Sequence, residues 1–205
     1  MTTEKIRLIP LGGLGEVGKN MMVVEYDSDI IIIDAGSMFP DEEMFGVDLV
    51  IPDISYLHDK KQNIRGIFVT HGHEDHIGSL PYILPALDFP PIYATRLTQG
   101  LINVKLKEHR QIDKAVVNVV NAGDRIEAGK CSVEIVRVNH SVPDATALAI
   151  HTPLGIIVHT GDYKFDHTPV NGAPADFGTL ARLGNEGVLV AMGDSTRIES
   201  PGYTP

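Results

Sequence analysis

Residues 68–80 read FVTHGHEDHIGSL. Three imidazoles and two carboxylates fall between His71 and His76, directly behind the apolar run Ile67–Val69. That lead-in reads as a buried strand, so His71 and His73, two apart on extended chain, leave on the same side. Asp75 and His76 are adjacent and point in different directions. Four such side chains do not turn to one small ion without contortion. Two ions close together resolve the geometry, His71 and His73 on one, Asp75 and His76 on the other. The mixture of imidazole and carboxylate suits zinc or manganese. Glu74 faces away from both pairs and is not counted as a ligand. A merely polar loop has no need of H-x-H-x-D-H behind a buried strand, so the pattern is specific.

A closed site needs donors from elsewhere, and two later strands end in them. VEIVRVNH delivers His140, which completes a three-histidine set with His71 and His73. GIIVHTGD delivers Asp162, whose two oxygens can bridge both ions. Asp34, at the end of DIIIID, is a candidate acceptor behind the ligands, orienting an imidazole. His159 falls within a strand and reads as packed. His58, His109, His151 and His167 show no ligand spacing and read as solvent-facing or structural.

Working outward, KIRLIPL reads as a first strand, and NMMVVEY and DIIIID as a hairpin turned at Asp27–Asp29. Ile30–Ile33 is apolar on both faces and belongs inside a covered sheet. DISYLHDK reads as a short helix and GIFVT as another buried strand. SLPYILPAL reads as a helix with Ser79 as its cap, although Pro85 strains it. RLTQGLINVKLKEH carries a helical apolar stripe. Beyond it AVVNVV, RIEAG, CSVEIVRVNH, TALAIHT and GIIVHTGD are β-rich, and a helix near 176–184 and a strand over 187–194 close the chain. This order predicts an α+β, layered α/β domain with sheets packed together and helices outside. No linker divides it, so residues 1–205 are expected to belong to one domain.

Composition narrows the class. The formal charge is −10, from 27 acids against 17 Lys and Arg, which argues against this chain alone forming a nucleic-acid surface. Six of the acids crowd into residues 41–59 and read as a solvated loop and helix face. With Cys131 as the single cysteine no intrachain disulfide forms. Neither a secretory signal nor an apolar run long enough for a membrane span is present, so the expectation is a cytoplasmic protein. Residues 13–18, GLGEVG, satisfy G-x-G-x-x-G after a strand, with Asp34 at a suitable distance for a ribose. The motif is weak here, because MMVVEY follows where a dinucleotide fold needs a helix. The glycines read instead as tight turns or close backbone approach. Lys19 beside them is a candidate phosphate contact.

The segments THGHEDHIG, NHSVPDA and HTGDYKFD, with Asp34 in IIIIDAG, resemble the successive signatures of the metallo-β-lactamase fold. PLGGLGEVGKNM and GDSTRIESPGYTP narrow the resemblance to the β-CASP ribonucleases, the ribonuclease J family in particular. It implies an αββα sandwich with two zinc ions (Mn2+ being an alternative): His71, His73 and His140 on one, Asp75 and His76 on the other, Asp162 bridging. It implies hydrolysis of RNA, endonucleolytically and 5′ to 3′, by a water activated between the ions, with Asp75 orienting or deprotonating it. Members of that family continue into an inserted β-CASP domain and return to supply a further histidine to the second ion. By this comparison the sandwich is incomplete. The 205 residues are then expected to hold the first ion well, the second partially, and to cleave RNA little. An exposed sheet edge would favour pairing into a homo-oligomer. Alternatives are a small-molecule thioesterase or lactamase on the same fold, a DNA nuclease, and a non-catalytic metal-binding module.

Overall fold

A computed structural model describes residues 4–170, 172–196 and 198–202. The last residues of the GDSTRIESPGYTP segment, and Arg197 within it, lie outside them. Strand β1 (Ile6–Gly12) leads into the hairpin of β2 (Met21–Tyr26) and β3 (Asp29–Ile33). Both hairpin strands are buried at every position, as the unbroken apolar run demands. β4 (Ile64–Phe68), β5 (Ile92–Ala94) and β6 (Val117–Val119) follow, each parallel to the one before, and complete a six-stranded sheet in chain order.

A second sheet takes β7 (Arg125–Ala128), β8 (Cys131–Arg137), β9 (Thr146–Thr152) and β10 (Gly155–His159) as antiparallel neighbours. β11 (Val188–Met192) joins β10 in parallel at its edge. Four α-helices, α1 (Glu74–Ile77), α2 (Leu80–Ile83), α3 (Arg96–Glu108) and α4 (Phe177–Glu186), occur among the described residues.

Period-two alternation sorts the side chains into layers. Val23, Ile30, Ile32 and Ile67 face outward from the first sheet, packing with Leu80, Ile83, Ile102 and Leu106 of the helices. Their neighbours Val24, Ile31, Ile33 and Phe68 face inward and meet Val133, Ile135, Leu148 and Ile150 of the second sheet. The outer face of that sheet, with Val136, Ala147, Ala149 and Val158, is covered by Leu180 and Leu183 on α4. The layers therefore run helix, sheet, sheet, helix, and the expected α+β architecture holds.

Several local expectations are corrected. SLPYILPAL is not one helix: α2 stops at Ile83 and a 3-10 turn, Pro85–Leu87, follows, because a proline has no N–H for the helical ladder. Ser79 has helical backbone (φ −86, ψ −8) and makes no side-chain cap. DISYLHDK contributes to a 3-10 segment, Ser55–Asn63, not an α-helix. Within AVVNVV only Val117–Val119 is strand. The GLGEVG glycines lie in a loop between antiparallel β1 and β2 where no helix starts, which removes the dinucleotide reading. Gly18 has φ 107 and a Cβ there would meet the Met38 side chain at 3.0 Å, so the chain turns and approaches closely at once. The acidic residues 41–48 form an exposed loop. No helix among the described residues is long and apolar enough to cross a membrane.

Candidate metal centre

The loops following β3, β4, β8 and β10 meet at one end of the sandwich. β4 runs out through Thr70 into extended chain carrying His71, and His73 (φ −72, ψ 155) is the last residue before α1 begins. Asp75 and His76 therefore stand on a helical turn while His71 and His73 stand on extended chain, the change of direction that lets adjacent residues serve two positions. After β8, Asn139 bridges to Lys164 across the loop following β10, bringing His140 and Asp162 to the same place. Thr146 ties the second sheet to the first, its backbone N–H and hydroxyl both donating to the Thr70 carbonyl at 2.9 and 3.0 Å.

Backbone hydrogen bonds lace the loop after β3 to α1. Ala35 N–H donates to His76 O at 2.8 Å, Ser37 N–H to Glu74 O at 3.1 Å, and Asn20 N–H to Asp75 O at 3.0 Å. Gly36 sits so close that a Cβ would lie 1.5 Å from the Asp75 carbonyl oxygen. The glycine of IIIIDAG is thus a requirement of the site.

Two donor groups result. One brings His71, His73, His140 and Asp162 together, the other Asp75, His76 and Asp162, with the donor atoms of each group within 4.8 Å of one another. A tetrahedral zinc with bonds of about 2.0–2.1 Å places neighbouring ligand atoms about 3.3 Å apart. In the first group His71 Nε2 is 3.0 Å from His73 Nδ1, and His140 Nε2 is 3.2 Å from the same atom and 3.5 Å from Asp162 Oδ2. His71 Nε2 lies 3.9 Å from Asp162 Oδ2. In the second, His76 Nε2 lies 3.3 Å from Asp162 Oδ1 and 3.6 Å from Asp75 Oδ2. Imidazole nitrogens turned on one another at these separations fit a shared cation. The carboxylate that spans both groups uses a different oxygen toward each.

Behind the donors lies a buried polar layer. Asp34, buried in the left-handed region (φ 59), has Oδ2 2.8 Å from His76 Nδ1. It also accepts from the Thr70 backbone N–H at 2.7 Å and hydroxyl at 2.9 Å. A carboxylate on Nδ1 presents Nε2 to the donor group. Burial opposes charge on His76, but Asp34 and Asp162 outweigh it and raise its pKa to about 10. Burial, reinforced by the neighbouring His76 charge, pushes His71 down to about 3. Asp162 is drawn down to about 2 against its own desolvation, by the His76 hydrogen bond and the surrounding imidazoles. A cation at His76 Nε2 would take the place of a proton there.

Three other histidines are engaged elsewhere. His151 meets Glu134 Oε2 at 2.8 Å, His109 lies edge-on to Tyr82, and His167 stacks on Phe177. His159 Nδ1 accepts from Gly161 N–H. Glu74 is drawn off to Lys105 Nζ at 2.6 Å, and the Lys19 ammonium pairs with Glu16 at 2.8 Å. Two polar residues escaped the sequence reading. Thr70, fully buried, holds Asp34 and lies 3.0 Å from His71 Nδ1. Asn20 donates from Nδ2 to Asp75 O at 3.1 Å and Asp75 Oδ2 at 3.2 Å, and that nitrogen stands 3.1 Å from His76 Nε2. Little in the sequence marks them beyond position, Asn20 directly before β2 and Thr70 two residues past β4.

Comparison with known proteins extends this picture. The chain is 45% identical over 204 residues to ribonuclease J of Synechocystis sp., a match covering 99% of this chain and 32% of that protein. It is 45% identical over 203 residues to ribonuclease J2 of Bacillus subtilis, covering 99% of this chain and 36% of that one. It therefore spans about a third of the length of these relatives. A crystal structure of a protein of unknown function from Enterococcus faecalis superposes with a TM-score of 0.71 at 22% identity, over 98% of this chain and 52% of the other, and shares the fold. The signature of the Metallo-beta-lactamase superfamily matches residues 14–195, which include every donor of both groups. With this signature set on two facing sheets and a shared histidine–aspartate cluster, the chain belongs to the metallo-beta-lactamase superfamily.

Proposed function

We propose that this chain carries the ion-binding half-site of a metal-dependent ribonuclease that hydrolyses RNA phosphodiester bonds. The observation that carries the reading is the pair of donor groups sharing Asp162 across its two oxygens; the ribonuclease J relatives supply the substrate class. His71, His73, His140 and Asp162 would hold one divalent ion, and Asp75, His76 and Asp162 a second. Zinc is the assignment we favour, on the three-imidazole set. When bound, two such ions supply Lewis-acid charge at the phosphoryl oxygens and acidify water to a pKa of about 7.

The chain's own residues do the rest. Asp75, about a third exposed at its side chain, reaches solvent as well as the donor group and can take a proton from an attacking water. Asp34 and Thr70 hold His76 and His71 in one orientation. Cleavage both internally and from the 5′ end is part of the proposal, by analogy with the relatives' family.

The test uses the protein as its gene encodes it, on single-stranded RNA. His73→Ala and Asp162→Ala are expected to lower cleavage by at least about 1000-fold, as loss of metal and its charge stabilisation should. Chelation should do the same and zinc or manganese should restore it. Cleavage that survives chelation, or metal-dependent turnover confined to thioesters, lactams or DNA, would refute the proposal.

A further inference from the structure

His159 is the last residue of β10 and pairs across the sheet with Leu148 of β9 and Met192 of β11, so it lies inside the second sheet and not at its edge. It shares the face of Ile157, which packs inward against the first sheet, while Ile156 and Val158 pack outward under α4. An aliphatic side chain would serve packing at such a position. A largely enclosed imidazole costs desolvation unless its polar atoms are used. Burial holds the His159 ring below its ordinary pKa, against the pull of Asp34, so the ring is neutral near pH 7. A neutral ring has one N–H and one free lone pair. Its Nδ1 takes the Gly161 N–H at 3.1 Å, which puts the lone pair on Nδ1 and the ring proton on Nε2. His159 belongs to neither donor group, so the ring acts through what it holds.

That bond closes a turn that ends on Asp162. Thr160 N–H donates to Met192 O at 3.0 Å, and its hydroxyl donates to Gly161 O at 2.7 Å while accepting the Asp194 N–H at 3.2 Å. Gly161 is left-handed (φ 57), and a Cβ there would come within 2.9 Å of Thr70 Cβ and 3.1 Å of Thr146 O. The turn is thus pressed between Thr70 and Thr146 with its N–H aimed back at His159. Asp162 follows directly. Its carboxylate meets two groups at once, Oδ1 at 3.3 Å from His76 Nε2 and Oδ2 at 3.5 Å from His140 Nε2. A shared carboxylate tolerates rotation less than one serving a single position, because turning the Gly161–Asp162 peptide displaces both oxygens.

We propose that His159 is a positioning residue for the metal centre: its Nδ1, by fixing the Gly161 peptide, sets Asp162 to serve both ion positions. The inference rests on reading the donor groups as ion sites. Zinc binding is measured on the protein as its gene encodes it, by competition with a coloured chelator. The two positions are followed through the ring-nitrogen resonances of His140 and His76. Asparagine carries its Oδ1 where histidine carries Nδ1, whereas glutamine carries its polar atoms farther out, near Nε2. His159→Asn should therefore hold zinc within about threefold of the parent. His159→Gln and His159→Leu should weaken it by about 10–100-fold at both positions together, since Asp162 belongs to both. Zinc affinity unchanged in His159→Leu, equal affinities in His159→Asn and His159→Gln, or weakening at one position only overturns the inference. Independently of any variant, the parent in EDTA should show His159 Nδ1 as an unprotonated ring nitrogen near pH 7. A proton on Nδ1 overturns the inference even where substitutions unfold the chain. A parent that binds neither zinc nor manganese sinks the ion reading and this inference with it, whereas a parent that binds zinc with the wrong variant pattern sinks the inference alone.

Discussion

Asn20 shows how much of a metal site can rest on a side chain that would touch no metal. Asp75 is only partly buried, and its Oδ2 is held by the Asn20 amide at 3.2 Å. The same nitrogen donates to the Asp75 carbonyl, and Asn20 N–H donates to that oxygen as well. Without the amide, Asp75 is free to swing toward water, and the second donor group loses one of its three members. Hydrogen-bonding partners behind metal ligands are worth roughly 10–100-fold in affinity. Asn20→Ala should therefore weaken zinc at the Asp75–His76 position by about that factor and leave the three-histidine position within about twofold. Histidine side-chain nitrogen resonances report the two positions separately, His76 for one, His71 and His140 for the other. Equal weakening at both, or none at either, would show that Asn20 merely staples the loop.

At the scale of elements, the site is a junction of loops whose fit is set by backbone, not by side chains. Gly36 is the tightest point, with Asp75 O where a Cβ would be. Gly36→Ala must separate the loop after β3 from α1, breaking the Ala35–His76 and Ser37–Glu74 hydrogen bonds. A cost of about 3 kcal/mol is expected, measured as a lowered midpoint in urea, together with loss of the second ion position. A variant as stable as the parent would mean the loops part without penalty. This junction also marks the limit of what sequence discloses. H-x-H-x-D-H is legible because six consecutive residues declare their chemistry, and the strand Ile64–Phe68 announces where they emerge. His140 and Asp162 are legible as polar ends of apolar strands. Thr70 and Asn20 carry no such mark, since a threonine or asparagine beside a strand is ordinary, and only the three-dimensional meeting of residues 20, 34, 70 and 76 gives them work. Likewise α2 fails as a longer helix through Pro85, while α4 begins where Asp176 accepts from Thr179 N–H at 2.9 Å, a cap that alternation of apolar residues does not reveal.

Taken whole, the sandwich carries a largely buried charged cluster at one end of two apolar sheets, and this makes its stability depend on pH in opposite senses on either side of neutrality. His76, raised to about 10 by Asp34 and Asp162 against its own burial, keeps its proton in the folded chain where an unfolded histidine, near 6.5, has lost it. Its contribution is fully present below about pH 6.5 and is lost as pH rises toward 10. His71, pushed down to about 3 by burial and the His76 charge, is neutral in the fold where the unfolded chain takes up a proton. Its contribution is present above about pH 6.5 and is lost as pH falls toward 3. The metal-free protein should therefore be most stable near pH 6–7 and should melt earlier on both sides. Zinc changes the alkaline limb most. The ion takes the place of the His76 proton, so its binding strengthens as pH rises, and binding to the folded state only is stabilising. Melting followed from pH 4 to 10 should give a symmetric decline in EDTA and, with zinc, an alkaline limb that is flat or rising. His76→Gln, having no proton to lose, should flatten the alkaline limb in EDTA without zinc. An alkaline decline that is unchanged by zinc and by His76→Gln would place the titrating group elsewhere and remove the proton-for-metal exchange on which the dinuclear reading depends.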